Sequence, residues 1–237
     1  MVALDVDELT EATTLIDQLA GTGVVFKVGN QLGTYAGWKE VIEAIHTRGG
    51  KIFCDTKFKD IPETVKKSAR AITRLEPEFF NIMADTDPAC LAAAVEGVES
   101  AVRDYGVKRP ILLGVTILTS FPNEVCQSIY GASAEEKVLQ FASAAAATGL
   151  DGVVCSAEEA MTLRQHDETK NLLLVTPGIR PEWATSGDQS RIMTPQKAVT
   201  AGADYLVIGR PITQPPPEIS SPQTAIEKII DELEERE

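Results

Sequence analysis

Lys51-Ile52-Phe53-Cys54-Asp55-Thr56-Lys57-Phe58-Lys59-Asp60-Ile61-Pro62-Glu63-Thr64 passes from an apolar run, through a charged cluster, to a proline-led helix start. The β-branched and aromatic residues from Lys51 to Cys54 suit a buried strand. Residues two apart on an extended chain share a face, so Asp55 and Lys57 are expected to project together from the strand end. Asp60 lies just past them, and Pro62 suits the first position of a helix. Carboxylate, ammonium and carboxylate thus crowd one strand-to-helix turn, a place where α/β enzymes carry catalytic groups.

The same unit recurs on both sides. Strand-like runs span Val2 to Val6, Val24 to Gly29, Glu78 to Met83, Ile111 to Ile117, Gly152 to Cys155, Leu172 to Val175 and Tyr205 to Ile208. Helical patterns run from about Glu8 to Ala20, Trp38 to Thr47, Pro62 to Leu75 and Pro88 to Val102. Asp87-Pro88 reads as a cap followed by proline, and Ser133 with Glu136 as a capping box for a helix ending near Gly149. Ile226, Ile229, Ile230 and Leu233 form the apolar stripe of a last helix. At Gly23-Val24, Gly50-Lys51, Gly149-Leu150 and Gly202-Ala203 a helix end and a glycine lead into a strand, as the left-handed C′ position favours. Eight strands alternating with eight helices imply a parallel sheet, and that count predicts a closed (β/α)8 TIM barrel forming one catalytic domain over residues 1–237. The alternative is a doubly wound open sheet, against which the first turn, Asp5-Val6-Asp7-Glu8, holds no GxGxxG fingerprint.

The chain has 237 residues, 43% hydrophobic and 24% charged, enough for one sizeable core. A net charge of -13 argues against nucleic acid or an anionic membrane as partner. No apolar run approaches the ~18 residues of a membrane span, and no signal-peptide pattern opens the chain, so the expectation is a cytoplasmic protein. Cys54, Cys90, Cys126 and Cys155 form no CxxC pair, and His46 and His166 fall in helix-like segments, so no zinc site is expected. Cys54 and Cys155 read as small buried hydrophobes.

In a barrel the site lies where strands end. The polar residues there are Asp5, Lys27, Asp55, Lys57, Asp60, Thr119, Ser120 and Ser156, then Arg180, the loop Gly187-Asp188-Gln189-Ser190-Arg191, and Arg210. The loops after strands seven and eight commonly hold phosphate; Gly178 and Gly209 would let backbone N–H groups approach an anion, and Arg180 or Arg210 could add a fork. Simpler roles stand beside these: turn glycines, solvated arginines, Asp60 as a helix cap, Asp55 in an Asx turn and Lys59 as a surface charge. Lys27 and Lys57 are harder to place simply, because lysine in an apolar strand is costly unless paired. Asp5, Asp55 and Asp60 are the available partners. Carboxylates around Lys57 favour its ammonium form, which suits a proton donor better than a Schiff-base nucleophile.

Ala3-Leu4-Asp5, Phe26-Lys27-Val28-Gly29, Asp55-Thr56-Lys57-Phe58-Lys59-Asp60-Ile61-Pro62, Leu118-Thr119-Ser120, Val153-Val154-Cys155-Ser156, Thr176-Pro177-Gly178-Ile179-Arg180, Gly187-Asp188-Gln189 and Ile208-Gly209-Arg210-Pro211 are the segments on which the chain resembles the orotidine 5′-phosphate decarboxylase family over essentially its whole length. DxKxxD alone is shared with sugar-phosphate decarboxylases of the same barrel group; its combination with PGIRP, GDQ and IGRP is specific. The resemblance implies decarboxylation of orotidine 5′-monophosphate to uridine 5′-monophosphate, the last step of de novo UMP synthesis, without cofactor or metal. It implies Lys57 as proton donor to C6, Asp55 beside the departing carboxylate, and Asp60 and Thr64 reaching the site from the partner of a homodimer. Asp5 and Lys27 then contact ribose, Lys27 also holding Asp55. Thr119 and Ser120 go with the pyrimidine and ribose, and Gln189, Gly209, Arg210 and Arg180 with phosphate. The family usually has several residues before the first strand, where this chain opens at once on Val2. Two rivals remain: a magnesium-dependent decarboxylase of keto-sugar phosphates, and a nucleotide-binding protein that has lost catalysis, whose mark would be a missing member of the charged array.

Overall fold

The computed structural model describes residues 1–184 and 193–234. In chain order its elements are β1 (Val2–Ala3), α1 (Leu9–Gln18), β2 (Val25–Val28), α2 (Asn30–Ala36), α3 (Trp38–His46), β3 (Lys51–Phe58), α4 (Pro62–Thr73), β4 (Phe79–Met83), α5 (Pro88–Tyr105) and β5 (Ile111–Val115). There follow α6 (Asn123–Tyr130), α7 (Ala134–Thr148), β6 (Gly152–Val154), α8 (Ala157–Gln165), β7 (Leu173–Thr176), α9 (Pro195–Thr200), β8 (Tyr205–Leu206), α10 (Arg210–Thr213) and α11 (Pro222–Glu234). The strands lie in the order β1 to β8, every pair parallel. A parallel bridge between Val2 and Ile208 joins the last strand to the first, with the Ala3 amide donating to the Ile208 carbonyl at 2.9 Å. The sheet is therefore a closed (β/α)8 barrel, not an open doubly wound one.

Local signals explain most element ends. Ser133 and Glu136 make the expected capping box of α7, which stops at Gly149 with φ 88°. Asp87 accepts from the Ala89 amide and Pro88 opens α5. At the joint before β3 the left-handed residue is Gly49, φ 71°, rather than Gly50. Short helices α2, α6 and α10 add to the expected set. Strand β1 ends at Ala3 rather than Val6, His166 falls just past α8, and β3 runs on to Phe58.

Two apolar layers sit either side of the sheet. Ala3, Val25, Phe53, Phe79, Leu113, Val175 and Val207 fill the barrel interior, where the Phe79 ring meets Tyr205 edge-on at 5.2 Å. The larger layer lies between strands and helices and takes in all four cysteines, each buried. At the N-terminal end of the barrel one device repeats. An acid just ahead of an even-numbered strand accepts the amide of the preceding strand at 2.7 Å: Glu78 from Ile52, Asp151 from Leu112, Asp204 from Leu174. Arg109 pairs with Asp151 and Arg164 with Asp204, while His46 lies 3.7 Å from Glu78. Among the described residues no helix is long and apolar enough to cross a membrane.

Candidate active site

The charged turn is built by an irregularity in β3. Cys54 pairs with Phe80 and Phe58 with Ile82, so four steps along β3 face two along β4. The excess bulges at Asp55, Thr56 and Lys57. Lys57 takes up the bend with φ 49°, one of two non-glycine residues with positive φ among those described. For an L-residue that conformation costs about 1–2 kcal/mol, so neighbours must hold it. Asn81, fully buried in β4, does so at three points. Its Oδ1 accepts from the Lys57 amide at 2.7 Å, its carbonyl from the Thr56 hydroxyl at 2.6 Å, and its Nδ2 donates to Asp55 Oδ1 at 2.6 Å. Asp55 and Lys57 thus face one cavity, but through a bulge and a left-handed backbone rather than simple two-residue alternation.

The Lys57 ammonium donates to Asp55 Oδ1 at 2.5 Å. Lys27, projecting from β2, stands 3.4 Å from Asp55 Oδ2 and 3.4 Å from Asp5 Oδ1. Burial raises the cost of ionising Asp55, but the ammoniums of Lys27 and Lys57, with the bonds from Lys57 and Asn81, outweigh it and hold its carboxyl below the usual range. An alternating Asp5–Lys27–Asp55–Lys57 row results. Its side chains are 67%, 13%, 12% and 32% exposed in that order, so charge is masked in the middle and offered at both ends.

These residues line a cavity of about 470 Å³ at the C-terminal end of the barrel, with Phe53 and Val207 from the interior layer among its walls. Thr119, Pro177, Arg180, Gly209, Arg210 and Gln214 are also among its lining. Arg180 is buried there, its amide donating to the Met193 carbonyl at 2.9 Å beside the Ile179–Met193 bridge. Gly209 precedes α10, and a Cβ placed on it would stand 3.8 Å from Asp5 Oδ2, at the cavity wall.

Not every expected residue joins this set. Asp60 is left out of the row: it is exposed and its Oδ1 accepts from the Ile61 amide at 2.6 Å, closing its own turn rather than capping α4. Thr64 is exposed on α4 and Ser120 is exposed beside Thr119; neither lines the cavity. Gln189 and the rest of its loop, from Gly187 to Arg191, lie outside the described residues. Asn81 was not among the expected residues; its signal is an amide inside the apolar run Phe79-Phe80-Asn81-Ile82. Among the described residues no three His, Cys, Asp or Glu side chains gather as a metal-ligand set.

Over residues 1–229 the chain matches the family described as "Orotidine 5'-phosphate decarboxylase / HUMPS family". It is 43% identical over 230 residues to the orotidine 5'-phosphate decarboxylase of Vibrio cholerae serotype O1, covering 97% of this chain and 95% of that one. It is 44% identical over 215 residues to that of Aliivibrio fischeri, covering 90% and 89%. The crystal structure of orotidine 5'-phosphate decarboxylase from Lactobacillus acidophilus superposes with a TM-score of 0.83 at 34% identity, covering 98% of this chain and 97% of that one.

Proposed function

The chain belongs to the orotidine 5′-phosphate decarboxylase / HUMPS family, and from that premise we propose that it converts orotidine 5′-monophosphate to uridine 5′-monophosphate and CO2 as a step of pyrimidine synthesis. The DxKxxD pattern is shared with sugar-phosphate decarboxylases as well. The nucleotide reading is favoured because relatives 43% identical over nearly the full chain carry that name. One observation carries the chemistry: an ammonium 2.5 Å from a buried carboxylate, both facing the cavity.

Loss of CO2 from C6 breaks the C6–carboxylate bond and leaves the electron pair in the ring plane, where no adjacent π-system accepts it. In the proposed reaction the Lys57 ammonium stabilises that charge and then transfers a proton to C6, becoming an amine that regains a proton from solvent. Asp55 has two parts. It fixes Lys57, and its negative charge opposes the substrate carboxylate until neutral CO2 departs. No cofactor or metal enters this scheme. Lys27 and Asp5 hold the ribose, and Thr119 with Ser120 the pyrimidine side. Arg180, Gly209 and Arg210, with Gln189, take the phosphate, whose binding energy is spent at the distant reacting carbon. Asp60 and Thr64, turned away from their own cavity, complete the site of a second copy in a homodimer. The setting proposed is one catalytic domain working in the cytoplasm.

The decisive assay is loss of ultraviolet absorbance from orotidine 5′-monophosphate, with and without EDTA. Equal turnover in both is expected; no turnover, or turnover only with added magnesium, rejects the scheme. Mixed Lys57→Ala and Asp60→Ala chains should regain part of the activity through hybrid dimers. No recovery despite confirmed subunit exchange would remove the shared site.

A further inference from the structure

Outside the cavity, a second buried carboxylate joins the catalytic turn to the neighbouring segments of the rim. Asp85 follows β4 with its side chain 8% exposed. Its Oδ2 accepts from Lys59 Nζ at 2.7 Å and from the Tyr130 hydroxyl at 2.9 Å. Its Oδ1 is buried with no hydrogen-bond partner among the described residues. Lys59 stands two residues after Lys57. Tyr130 ends α6, the helix that follows Thr119 and Ser120, and its ring packs edge-on against Phe141 of α7 at 5.7 Å. Burial, with Asp85 beside it, pushes the Tyr130 hydroxyl up to about 12, so it remains a donor at neutral pH. A single oxygen therefore ties three consecutive segments of the barrel rim: the β3 turn, the end of β4, and α6.

Energy alone does not account for this arrangement. Lys59 is 49% exposed, and an ion pair so open to water contributes little. Leaving the second oxygen of a buried carboxylate unpaired is itself unfavourable. What the arrangement does supply is geometry, because Asp85 is held by the barrel while both its donors come from cavity-bearing segments.

We propose that Asp85 is a positioning residue, clasping Lys59 and Tyr130 so that the turn carrying Lys57 and the segment carrying Thr119 keep a fixed separation along the cavity rim. Its kinetic consequence rests on the orotidine 5′-monophosphate reading; its structural consequence does not.

The test begins with Tyr130→Phe, which removes the hydroxyl and keeps the ring on Phe141. Amide hydrogen exchange should quicken several-fold in peptides covering residues 56–64 as well as 117–130. Lys59→Met should produce the mirror effect. Exchange confined to the mutated segment in both variants overturns the clasp, whatever the protein turns over. In turnover, each single variant should lose about ten- to hundred-fold in kcat with KM within about two-fold. The double variant should fall no lower than the worse single one, and Asp85→Asn should recover part of what Asp85→Ala loses. Additive losses, or losses that follow melting temperature alone, also overturn it. A wild-type protein inert toward orotidine 5′-monophosphate rejects the substrate reading and leaves the exchange data to decide the clasp.

Discussion

The two ends of the barrel use the same residue types to opposite effect. At the N-terminal end Asp151 and Asp204 each accept one strand amide and pair with one arginine, while Glu78 accepts an amide beside His46. Each is a separate staple between neighbouring strands. At the C-terminal end Asp5, Lys27, Asp55 and Lys57 share partners in one continuous row that faces a cavity. The staples hold strands that would lie together anyway. The row holds a bulged, left-handed turn that the strands alone would not adopt. An acid beside a base in a barrel is therefore informative only once it is known what else the pair faces.

That contrast is best broken from its most demanding side. Lys57→Ala should reduce turnover by about 10³-fold or more while melting temperature changes little and nucleotide binding through the phosphate persists. Near-normal turnover would remove the distinction between the two ends. From the other side, Asp204→Ala leaves the Leu174 amide without its acceptor, a loss of about 1–3 kcal/mol. Thermal melting should fall by roughly 2–4 °C for each kcal/mol, and kcat should remain within about two-fold. A large fall in kcat at unchanged stability would mean that the staple reaches the site.

The smallest effect concerns pH. Because the folded protein holds the Asp55 carboxyl below its unfolded value, ionised Asp55 contributes stability above that unfolded value, about 4, and loses it as pH falls through the folded one. The stability difference between wild type and Asp55→Asn in urea unfolding should be level from pH 7 to 5 and shrink below pH 4. A difference that instead grows on acidification would contradict the pairing.

Much of this arrangement was legible in the residues. The glycine joints and short apolar runs report the barrel because each repeats a local requirement, a left-handed helix end followed by a buried strand. Asp5, Lys27, Asp55 and Lys57 stand out as charges in apolar surroundings. The β3 bulge does not, because Asp55-Thr56-Lys57 reads as a turn by composition while its partner strand makes it a strand. Asn81 looks like one polar residue in an apolar run, and only the register across β3 and β4 reveals its three bonds. Lys59 reads as a solvated charge because its partner Asp85 lies 26 residues further along the chain. Helix α2 has no side-chain cap and carries Gly33 in its middle, so only Gly37, just past its C-terminal end, announces it.

The bridge between Val2 and Ile208 has a consequence for folding order. Every other strand pair joins consecutive units, so those pairs can assemble as the polypeptide emerges from the ribosome. The seam cannot form before Ile208 exists, and its loop spans nearly the whole chain, although the entropic penalty of such closure grows only logarithmically with length. Asp5 lies just past one lip of that seam and Gly209 and Arg210 just past the other, all of them on the cavity wall. The binding site is thus completed by the same event that turns a curled sheet into a ring, and in refolding experiments the return of ligand binding should coincide with the slowest contact in the protein.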